Sequence, residues 1–290
     1  MRILIMLFFV LMGDALMAQQ TFLVYRLNGA VTQKTGKQFK AIKIGQLLNS
    51  SHAISIDKGG SLVLICEGYN SFTISKAGNH LLSRYLDSCR KEAQSISAGY
   101  FKYVWNEMTH PHTTPESNRR KYMQNTGAVV RGCPGINIAT VFDSVYNSAG
   151  NMKIQWTAVV PAGQLAFALF DTEKEGKCLY STLVTRNDVQ LDTIKKYAGS
   201  NDEVYWNLTI NGNEMCSRKL VKFFNVTDYT AFESELKSSL SMIVNEAERN
   251  YALGFLLETN HFLAEAKMYY QKAAALDPSK ANYREPLDDF

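Results

Sequence analysis

The spacing of hydrophobic residues changes along the chain, and each change predicts a different kind of structure. Hydrophobic and polar residues alternate over short runs in residues 21–82 and again in residues 136–226. In residues 85–124, and from residue 230 onward, hydrophobic residues recur instead at helical spacing. Alternation is typical of strands with one buried face, and a recurrence every three or four positions is typical of amphipathic helices. We therefore expect a multi-domain chain that is mainly β with α, in the order β, α, β, α.

The first eighteen residues differ from everything that follows. Met1 and Arg2 give a positively charged start, residues 3–12 are uninterrupted apolar residues, and Ala18 offers a small residue for cleavage. This is the order of a secretory signal peptide, and the apolar run is well short of the ~20 residues that span a bilayer. We expect residues 1–18 to be removed by cleavage near Ala18. The mature protein is then periplasmic, secreted or at the cell surface, with no integral membrane span.

Residues 19–125 are predicted to form a small β module with a helical cover. Four segments of its first part, spaced by turn-forming glycines, are Asn28–Val31, Ile44–Leu48, Ile54–Ile56 and Gly60–Leu64. In this order they resemble the FecR-type domain of bacterial envelope proteins, over residues 21–82. The resemblance implies a small β fold without catalytic residues. FecR-type regulators carry a cytoplasmic segment and a membrane helix ahead of this module, and we expect neither here.

The helical cover is predicted from a change of spacing after the β module. Ser97 is a candidate N-cap, and the apolar residues after it fall on one helical face: Tyr100, Phe101, Val104, Trp105 and Met108. Pro111 and Pro115 end this helix. We expect it to cover the open face or edge of the β module. Residues 126–135, which contain Pro134 and several glycines, are predicted to be a linker.

Residues 136–226 are predicted to form a two-sheet sandwich of about seven strands. Turn signals separate the strands, and Asn211-Gly212 suits a tight hairpin particularly well. The pattern resembles an immunoglobulin or fibronectin type III sandwich, with Trp156 and Trp206 as core anchors. Such a resemblance implies the fold alone, because these sandwiches serve many unrelated functions.

Residues 227–290 are predicted to form a helical tail. Thr230 and Glu233 have the spacing of a capping box. Residues 247–280 resemble a single tetratricopeptide repeat, on the strength of Leu253, Gly254, Leu257, Ala266, Tyr270, Ala273 and Pro278. Asn250 stands where that family usually has a large apolar residue. A lone repeat cannot bury its faces unaided, so we expect it to pack against the preceding helix, the sandwich or a partner chain.

The cysteines are interpreted in the light of export. They are Cys66, Cys89, Cys133, Cys178 and Cys216. An oxidising compartment favours disulfides, and an odd number leaves at least one thiol free or bonded to another chain. Cys178 and Cys216 lie in strand-like stretches of one module and are the expected pair. Buried free thiols are the alternative, because free cysteine packs as a small hydrophobic residue.

The histidines and acidic residues of the chain that could carry chemistry have simpler interpretations. His110 and His112 form a close pair, but zinc takes three or four protein ligands, so we predict no metal site and no cofactor. Asp192, Asp202 and Glu203 are candidate paired carboxylates for glycoside hydrolysis, which we interpret as solvated loop residues. The sequence contains none of the common nucleophile, zinc-protease or phosphate-loop motifs.

The sequence does not favour binding of sugars or of nucleic acid. Trp105, Trp156 and Trp206 are candidate platforms for sugars, but each falls in a periodic apolar pattern that favours core packing. The net charge of +4 is spread along the chain without a basic arm, which excludes nucleic acid as the expected partner.

The sequence thus favours an exported, non-enzymatic adaptor or scaffold of the bacterial cell envelope that mediates protein–protein interaction. The expected partners are envelope or surface proteins, and self-association into a homo-oligomer stays open. We expect docking of a helix into a groove, with Tyr251, Phe255, Phe262 and Tyr269 as candidate contacts. Core packing of these four residues is the alternative. The alternative function is a hydrolase or carbohydrate-binding protein acting on envelope polymers.

Overall fold

The described residues form a β-rich fold with helices, as the sequence predicts. The computed structural model describes residues 20–36, 38–90, 96–109, 135–138, 144–158 and 165–290. The chain divides into two units, Met1–Thr109 and His110–Phe290. No helix within the described ranges is long and apolar enough to cross a bilayer. The predicted signal peptide and all but the last residue of the predicted linker lie outside these ranges.

The described part of the first unit contains eight short strands in two antiparallel sheets. They are β1 (Thr21–Asn28), β2 (Val31–Thr35), β3 (Gln38–Ala41), β4 (Leu47–Asn49), β5 (Ala53–Ile56), β6 (Ser61–Cys66), β7 (Ser71–Ile74) and β8 (Gly78–Leu81). One sheet has the order β4-β1-β6-β7 and the other β3-β2-β5-β8. Val24 from the first sheet and Ile54 from the second lie in one hydrophobic core. The two sheets therefore face each other as a small sandwich.

Two glycine turns of this sandwich contact each other. Gly29, between β1 and β2, has a φ of 70°, a conformation that residues with a side chain rarely adopt. A Cβ atom on Gly29 would lie 2.9 Å from the Cα of Gly60, in the turn between β5 and β6. Glycine is thus required at position 29 for two reasons: the backbone conformation there, and the close approach of the two turns.

Helical segments follow the strands of the first unit. They are a 3-10 turn (Leu82–Tyr85), α1 (Leu86–Arg90) and α2 (Ala98–Thr109). Helix α2 confirms the helix predicted after Ser97, whose carbonyl accepts a hydrogen bond from the Phe101 N–H. The Phe101 ring packs edge-on against Tyr25 of β1, with ring centroids 5.8 Å apart. Helix α2 therefore packs against the β module, as expected of a cover.

The described part of the second unit contains nine strands in two sheets. They are β9 (Ile136–Ile138), β10 (Ser144–Asn147), β11 (Lys153–Ala158), β12 (Leu165–Phe170), β13 (Cys178–Leu183), β14 (Asp188–Gln190), β15 (Glu203–Ile210), β16 (Asn213–Glu214) and β17 (Lys219–Phe223). One sheet has the order β10-β17-β15-β12-β13, with β16 paired to β15, and the other has the order β14-β11-β9. Strands β10 and β17 are parallel.

An aromatic stack joins the two sheets of the second unit. Trp156 of β11 stacks on Phe167 of β12, with centroids 6.4 Å apart, and Phe167 stacks on Trp206 of β15 at 5.8 Å. Both tryptophans are buried, which confirms that they are core residues. The sequence missed helix α3 (Leu191–Ala198), which follows β14 and buries Leu191, Ile194 and Ala198.

The second unit continues into four helices and a final turn. They are α4 (Val226–Ser239), α5 (Glu246–Thr259), α6 (Leu263–Leu276), α7 (Ala281–Arg284) and a 3-10 turn (Glu285–Asp289). Helix α4 begins one turn before the predicted capping box, because the Asn225 side chain caps it by accepting a hydrogen bond from the Asp228 N–H. Thr230 instead lies inside the helix and donates to the Val226 carbonyl.

The helices pack against the sheet within the same unit. The Phe262 ring lies between aromatic residues of both parts, with centroid distances of 5.6 Å to Tyr146 and 5.0 Å to Phe224 on the sheet side, and 5.4 Å to Tyr229 of α4. The Tyr146 N–H of β10 donates to the His261 carbonyl at 2.8 Å. Residues 136–226 and 227–290, predicted as separate domains, thus share a core.

Candidate functional site

The concave surface of interest lies among α4, α5 and α6. It is a groove of about 800 Å³. Its lining residues are Lys237, Ser241, Glu246, Arg249, Asn250, Leu253, Tyr269, Lys272, Ala275 and Leu276. We call it the basic groove, because three of these side chains are cations and one is an anion.

The local sequence explains how these side chains reach one surface. The connection after α4 is held inward by Leu240 and Ile243, which are fully buried. Asn245 then starts α5 by accepting a hydrogen bond from the Glu248 N–H at 2.9 Å. Residues at helical spacing from this start line the groove, with Arg249 and Leu253 one turn apart. Arg249 donates to the Ile243 carbonyl at 3.3 Å, which anchors its guanidinium beside the turn.

Glu233 organises one wall of the basic groove. It accepts hydrogen bonds from Lys237 Nζ at 2.5 Å, from the Tyr269 hydroxyl at 2.7 Å and from the Tyr229 hydroxyl at 3.2 Å. Burial acts to raise the pKa of Glu233, but the hydrogen bonds from Lys237 and Tyr269 outweigh it and hold that pKa below its usual value. Burial, with the hydrogen bond to Glu233, raises the pKa of Tyr269. Glu233 therefore stays ionised and Tyr269 stays a neutral donor.

Two of the three cations in the groove keep their charge available. Lys237 is paired with Glu233, whereas no carboxylate in the described part of the chain forms an ion pair with Arg249 or Lys272. Lys272 Nζ lies 4.6 Å from the centroid of the Tyr269 ring, a cation–π contact that holds the ammonium over the groove. Leu253, Ala275 and Leu276 supply the apolar part of the surface. Such a surface suits a ligand that combines negative charge with apolar side chains.

The four aromatic residues predicted as partner contacts are all buried. Phe255 is fully enclosed, Phe262 joins the helices to the sheet, and Tyr251 packs on Tyr270 and Tyr283. Their exposure was the condition for a contact role, and Tyr251, Phe255 and Phe262 do not meet it. Tyr269 is 7% exposed, yet it is one of the residues that line the basic groove.

The predicted disulfide between Cys178 and Cys216 is wrong. Cys178 is a free, exposed thiol, and Cys216 is bonded in another disulfide. The physical reason is the order of the sheet: β12 separates Cys178 on β13 from β15, beside which Cys216 lies. Two strand spacings amount to ~9.5 Å, which exceeds the Cα separation that a disulfide can bridge. A disulfide that the sequence did not pick out joins Cys66 of β6 to Cys89 of α1.

The candidate acids and metal ligands do not gather into a site. Asp192 lies in the first turn of α3 and accepts a hydrogen bond from Asn151, while Glu203 of β15 pairs with Lys222 at 2.6 Å. Within the described ranges no group of three or more potential metal ligands occurs. His110 and His112 lie outside those ranges. Trp156 and Trp206 are core residues and therefore do not offer faces to a sugar.

A serine–histidine pair went unnoticed in the sequence. The Ser144 Oγ lies 2.5 Å from His261 Nδ1, although the two residues are 117 positions apart. The His261 ring also lies beside Tyr146, at a centroid distance of 5.4 Å. Neither Ser144 nor His261 lines the basic groove. The pair connects β10 to the loop between α5 and α6.

Comparison with known proteins adds no relative to this description. No model of a known protein family matches the chain, and no curated protein matches its sequence.

The cations of the basic groove were not among the residues that the sequence singled out. Arg249 and Lys272 belong to different helices and meet only because α5 and α6 pack together. A signal was present, since Glu246, Arg249, Asn250 and Leu253 fall at helical spacing. That spacing does not say whether the face looks toward solvent, a neighbouring helix or a ligand.

Proposed function

We propose that this chain is an exported, non-enzymatic adaptor of the bacterial cell envelope. In this proposal the basic groove binds a segment of a partner protein that carries both acidic and apolar side chains. The observation that carries the proposal is that one concave surface combines apolar side chains with two cations, Arg249 and Lys272, that form no ion pair within the described residues. Binding of such a segment requires no catalytic residues.

The size and chemistry of the groove support this function. A volume of about 800 Å³ holds several side chains of a helical or extended segment. Leu276 lines the groove and is exposed, so a partner's apolar residues would cover apolar surface that is now in water, whereas Leu253 lines the groove but is already buried. Carboxylates of the partner would pair with Arg249 and Lys272 and set its position along the groove.

The resemblances of the modules support the same class of function. The first unit has short strands separated by glycine turns, and α5 and α6 are consecutive packed helices. In the proposal these elements are a FecR-like module and a tetratricopeptide-like pair, which bind rather than catalyse, while a sandwich fold is compatible with either function. The N-terminal signal pattern supports a periplasmic or surface location.

A peptide-binding measurement tests the proposal. Fluorescent peptides of graded acidic and apolar content are titrated against the wild-type chain and against the double variant Arg249→Glu/Lys272→Glu. Wild type is expected to bind acidic-apolar peptides best, and the groove variant at least about tenfold more weakly, because like charges then face each other. The matched control is Lys174→Glu/Lys177→Glu, which makes the same charge change at exposed positions outside the groove.

Two results would contradict the proposal. One is equal binding by wild type and the groove variant. The other is equal loss in the groove variant and the control, which would reflect net charge alone. Sedimentation of the free chain at several concentrations shows whether a second copy occupies the groove.

A hydrolase is the second candidate function, and the Ser144–His261 pair is the observation that favours it. A histidine within hydrogen-bond distance can activate a serine for nucleophilic attack. Labelling with a fluorophosphonate, which reacts with activated serines, tests this function directly. If the reagent labels wild type but not Ser144→Ala, the hydrolase would replace the adaptor as the proposed function.

A further inference from the structure

The hairpin of β2 and β3 stands out in the first unit because every residue of its second strand is exposed. All four residues of β3, Gln38–Ala41, are exposed. Successive residues of a strand point to opposite faces of the sheet, so both faces of β3 meet solvent. The hairpin therefore extends past the core of the sandwich.

The hairpin and its surroundings are basic. From Gly29 to Ile56 the chain has four lysines, Lys34, Lys37, Lys40 and Lys43, and no aspartate or glutamate. No carboxylate in the described ranges forms an ion pair with Lys34, Lys40 or Lys43. Their positive charge is therefore not neutralised within the described part of the chain.

Large apolar side chains are exposed beside these lysines. Phe39 is 59% exposed, Ile44 55% and Leu47 47%. Lys34 faces Phe39 across the hairpin, with Nζ 6.0 Å from the ring centroid. Gln46 donates to the Gln33 side chain at 3.0 Å, which holds the turn that contains Ile44 against the hairpin. Charged and apolar groups thus share one end of the sandwich.

We propose that this end of the first unit, defined by Lys34, Phe39, Lys40, Lys43 and Ile44 and called the hairpin surface, docks onto an anionic lipid bilayer. The lysines contact lipid phosphates, while Phe39 and Ile44 enter the region between headgroups and acyl chains. Charge complementarity favours an anionic partner. The exposure of Phe39 and Ile44 favours a bilayer over a folded protein, because exposed side chains need no preformed cavity to enter lipid.

The hairpin surface gives the protein a peripheral mode of membrane association that is separate from any leader peptide. Each lysine adds an attraction that salt weakens, and the apolar side chains add one that salt does not weaken. Docking is therefore expected to depend on the charge of the lipids and on the salt concentration.

Sedimentation with vesicles tests the proposal on the full chain, expressed so that its N-terminal segment is processed as in the cell. Vesicles of phosphatidylglycerol and phosphatidylcholine in equal amounts are compared with vesicles of phosphatidylcholine alone. Wild type is expected to bind the anionic vesicles, and both Phe39→Ala and Lys34→Gln/Lys40→Gln to bind them at least about tenfold more weakly. The matched controls are Leu183→Ala, an exposed apolar residue of the second unit, and Lys174→Gln/Lys177→Gln.

Insertion has its own readout in the variant Phe39→Trp. Brominated lipid should quench the added fluorescence of this variant relative to wild type, because the bromine atoms lie within the bilayer. The changed side chains are exposed, so the variants should retain the thermal unfolding transition of wild type. The proposal is overturned if the hairpin variants bind as wild type does, if no chain binds anionic vesicles, or if the hairpin retains a soluble acidic peptide but not vesicles.

Discussion

Glu265 shows how a single buried charge can hold a helix against a sheet. It lies in the first turn of α6 and is 2% exposed. Its Oε1 accepts hydrogen bonds from the backbone N–H groups of Ser148, Ala149 and Gly150, at 2.6, 3.0 and 3.3 Å. These donors follow strand β10, so the carboxylate joins α6 to the edge of the larger sheet. A Cβ on Gly150 would lie 2.7 Å from the Cβ of Ala264, so the approach requires glycine there.

Replacement of Glu265 is therefore expected to destabilise the second unit. Glu265→Ala leaves three backbone donors without their acceptor and should lower the free energy of unfolding by about 3 kcal/mol. Glu265→Gln keeps an acceptor oxygen and should cost less. Urea unfolding followed by tryptophan fluorescence measures both, with Glu235→Ala on the exposed side of α4 as the control. Equal stability of Glu265→Ala and the control would show that the contact contributes little.

His261 is expected to make the stability of the second unit decrease in mild acid. Burial lowers the pKa of His261, and the contact with Ser144 acts in the opposite direction without restoring it. Below about pH 6.5 an unfolded chain binds a proton at this histidine while the folded chain resists it. The unfolded state then holds more protons, so stability decreases as the pH falls.

The prediction is a urea midpoint that decreases from pH 7.5 to pH 5.5 in wild type. The variant His261→Gln, which cannot take up a proton, should show a flatter dependence over the same range. The carboxyl groups with lowered pKa values, Glu214 and Glu233, lose their stabilising effect only at lower pH and do not mask the change. Identical pH profiles for wild type and His261→Gln would contradict the assignment.

At the scale of elements, the contact between α5 and α6 depends on one glycine. A Cβ on Gly254 would lie 2.8 Å from the ring of Tyr270. That ring cannot move aside easily, because Tyr270 is fully buried and its hydroxyl donates to Glu258 at 2.6 Å. The two helices therefore pack so closely at position 254 that a residue without a side chain is required there.

Gly254→Ala should destabilise the helical pair even though alanine favours helices. The gain in helix propensity is about 1 kcal/mol, and overpacking in a rigid core costs about 1–3 kcal/mol, so we expect a net loss of up to about 2 kcal/mol. In the background of Tyr270→Leu the same replacement should cost less, because the clash is removed. Thermal unfolding of the four chains of this double-mutant cycle measures the coupling. Additive effects would exclude the clash as the cause.

The elements that the sequence predicted correctly have a strong local pattern. In β11, Lys153 and Gln155 are exposed while Ile154 and Trp156 are buried, which is the alternation seen in the sequence. Helix α3 was missed because it is short, lies between strands and begins after Gln190, which makes no side-chain cap. Its buried residues Leu191, Ile194 and Ala198 carried a helical spacing too brief to stand out.

The start of α4 and the candidate site show what local patterns leave undecided. Two capping sequences compete near α4, and the earlier one at Asn225 is used because it adds a turn that buries Tyr229. The basic groove depends on the packing of three helices, which no single stretch of sequence contains. Cys178 and Cys216 were paired from their shared module, whereas strand order decides the distance between them.

At the scale of the whole molecule, the boundary between units lies at Thr109–His110 and not within residues 110–290. Each unit has its own aromatic and aliphatic core, with Phe22 and Phe101 in the first and Trp156 and Trp206 in the second, whereas Trp105 is half-buried. A domain with its own core can in principle fold alone. The strands and helices of the second unit, in contrast, bury their surfaces against each other.

Fragments cut at the two candidate boundaries should therefore behave differently. Fragments 19–109 and 110–290 are each expected to unfold cooperatively. Fragment 110–226 should not, because it loses Phe262 against Tyr146 and Phe224, and Glu265 against the loop after β10. Burial of one large aromatic side chain stabilises a fold by roughly a few kcal/mol. This is a large share of the net free energy of unfolding of a domain. Tryptophan fluorescence and urea unfolding of the fragments measure this. The prediction would be wrong if fragment 110–226 unfolded cooperatively with the same urea midpoint as fragment 110–290. The strands would then be stable without the helices, and residues 227–290 would be an independent module.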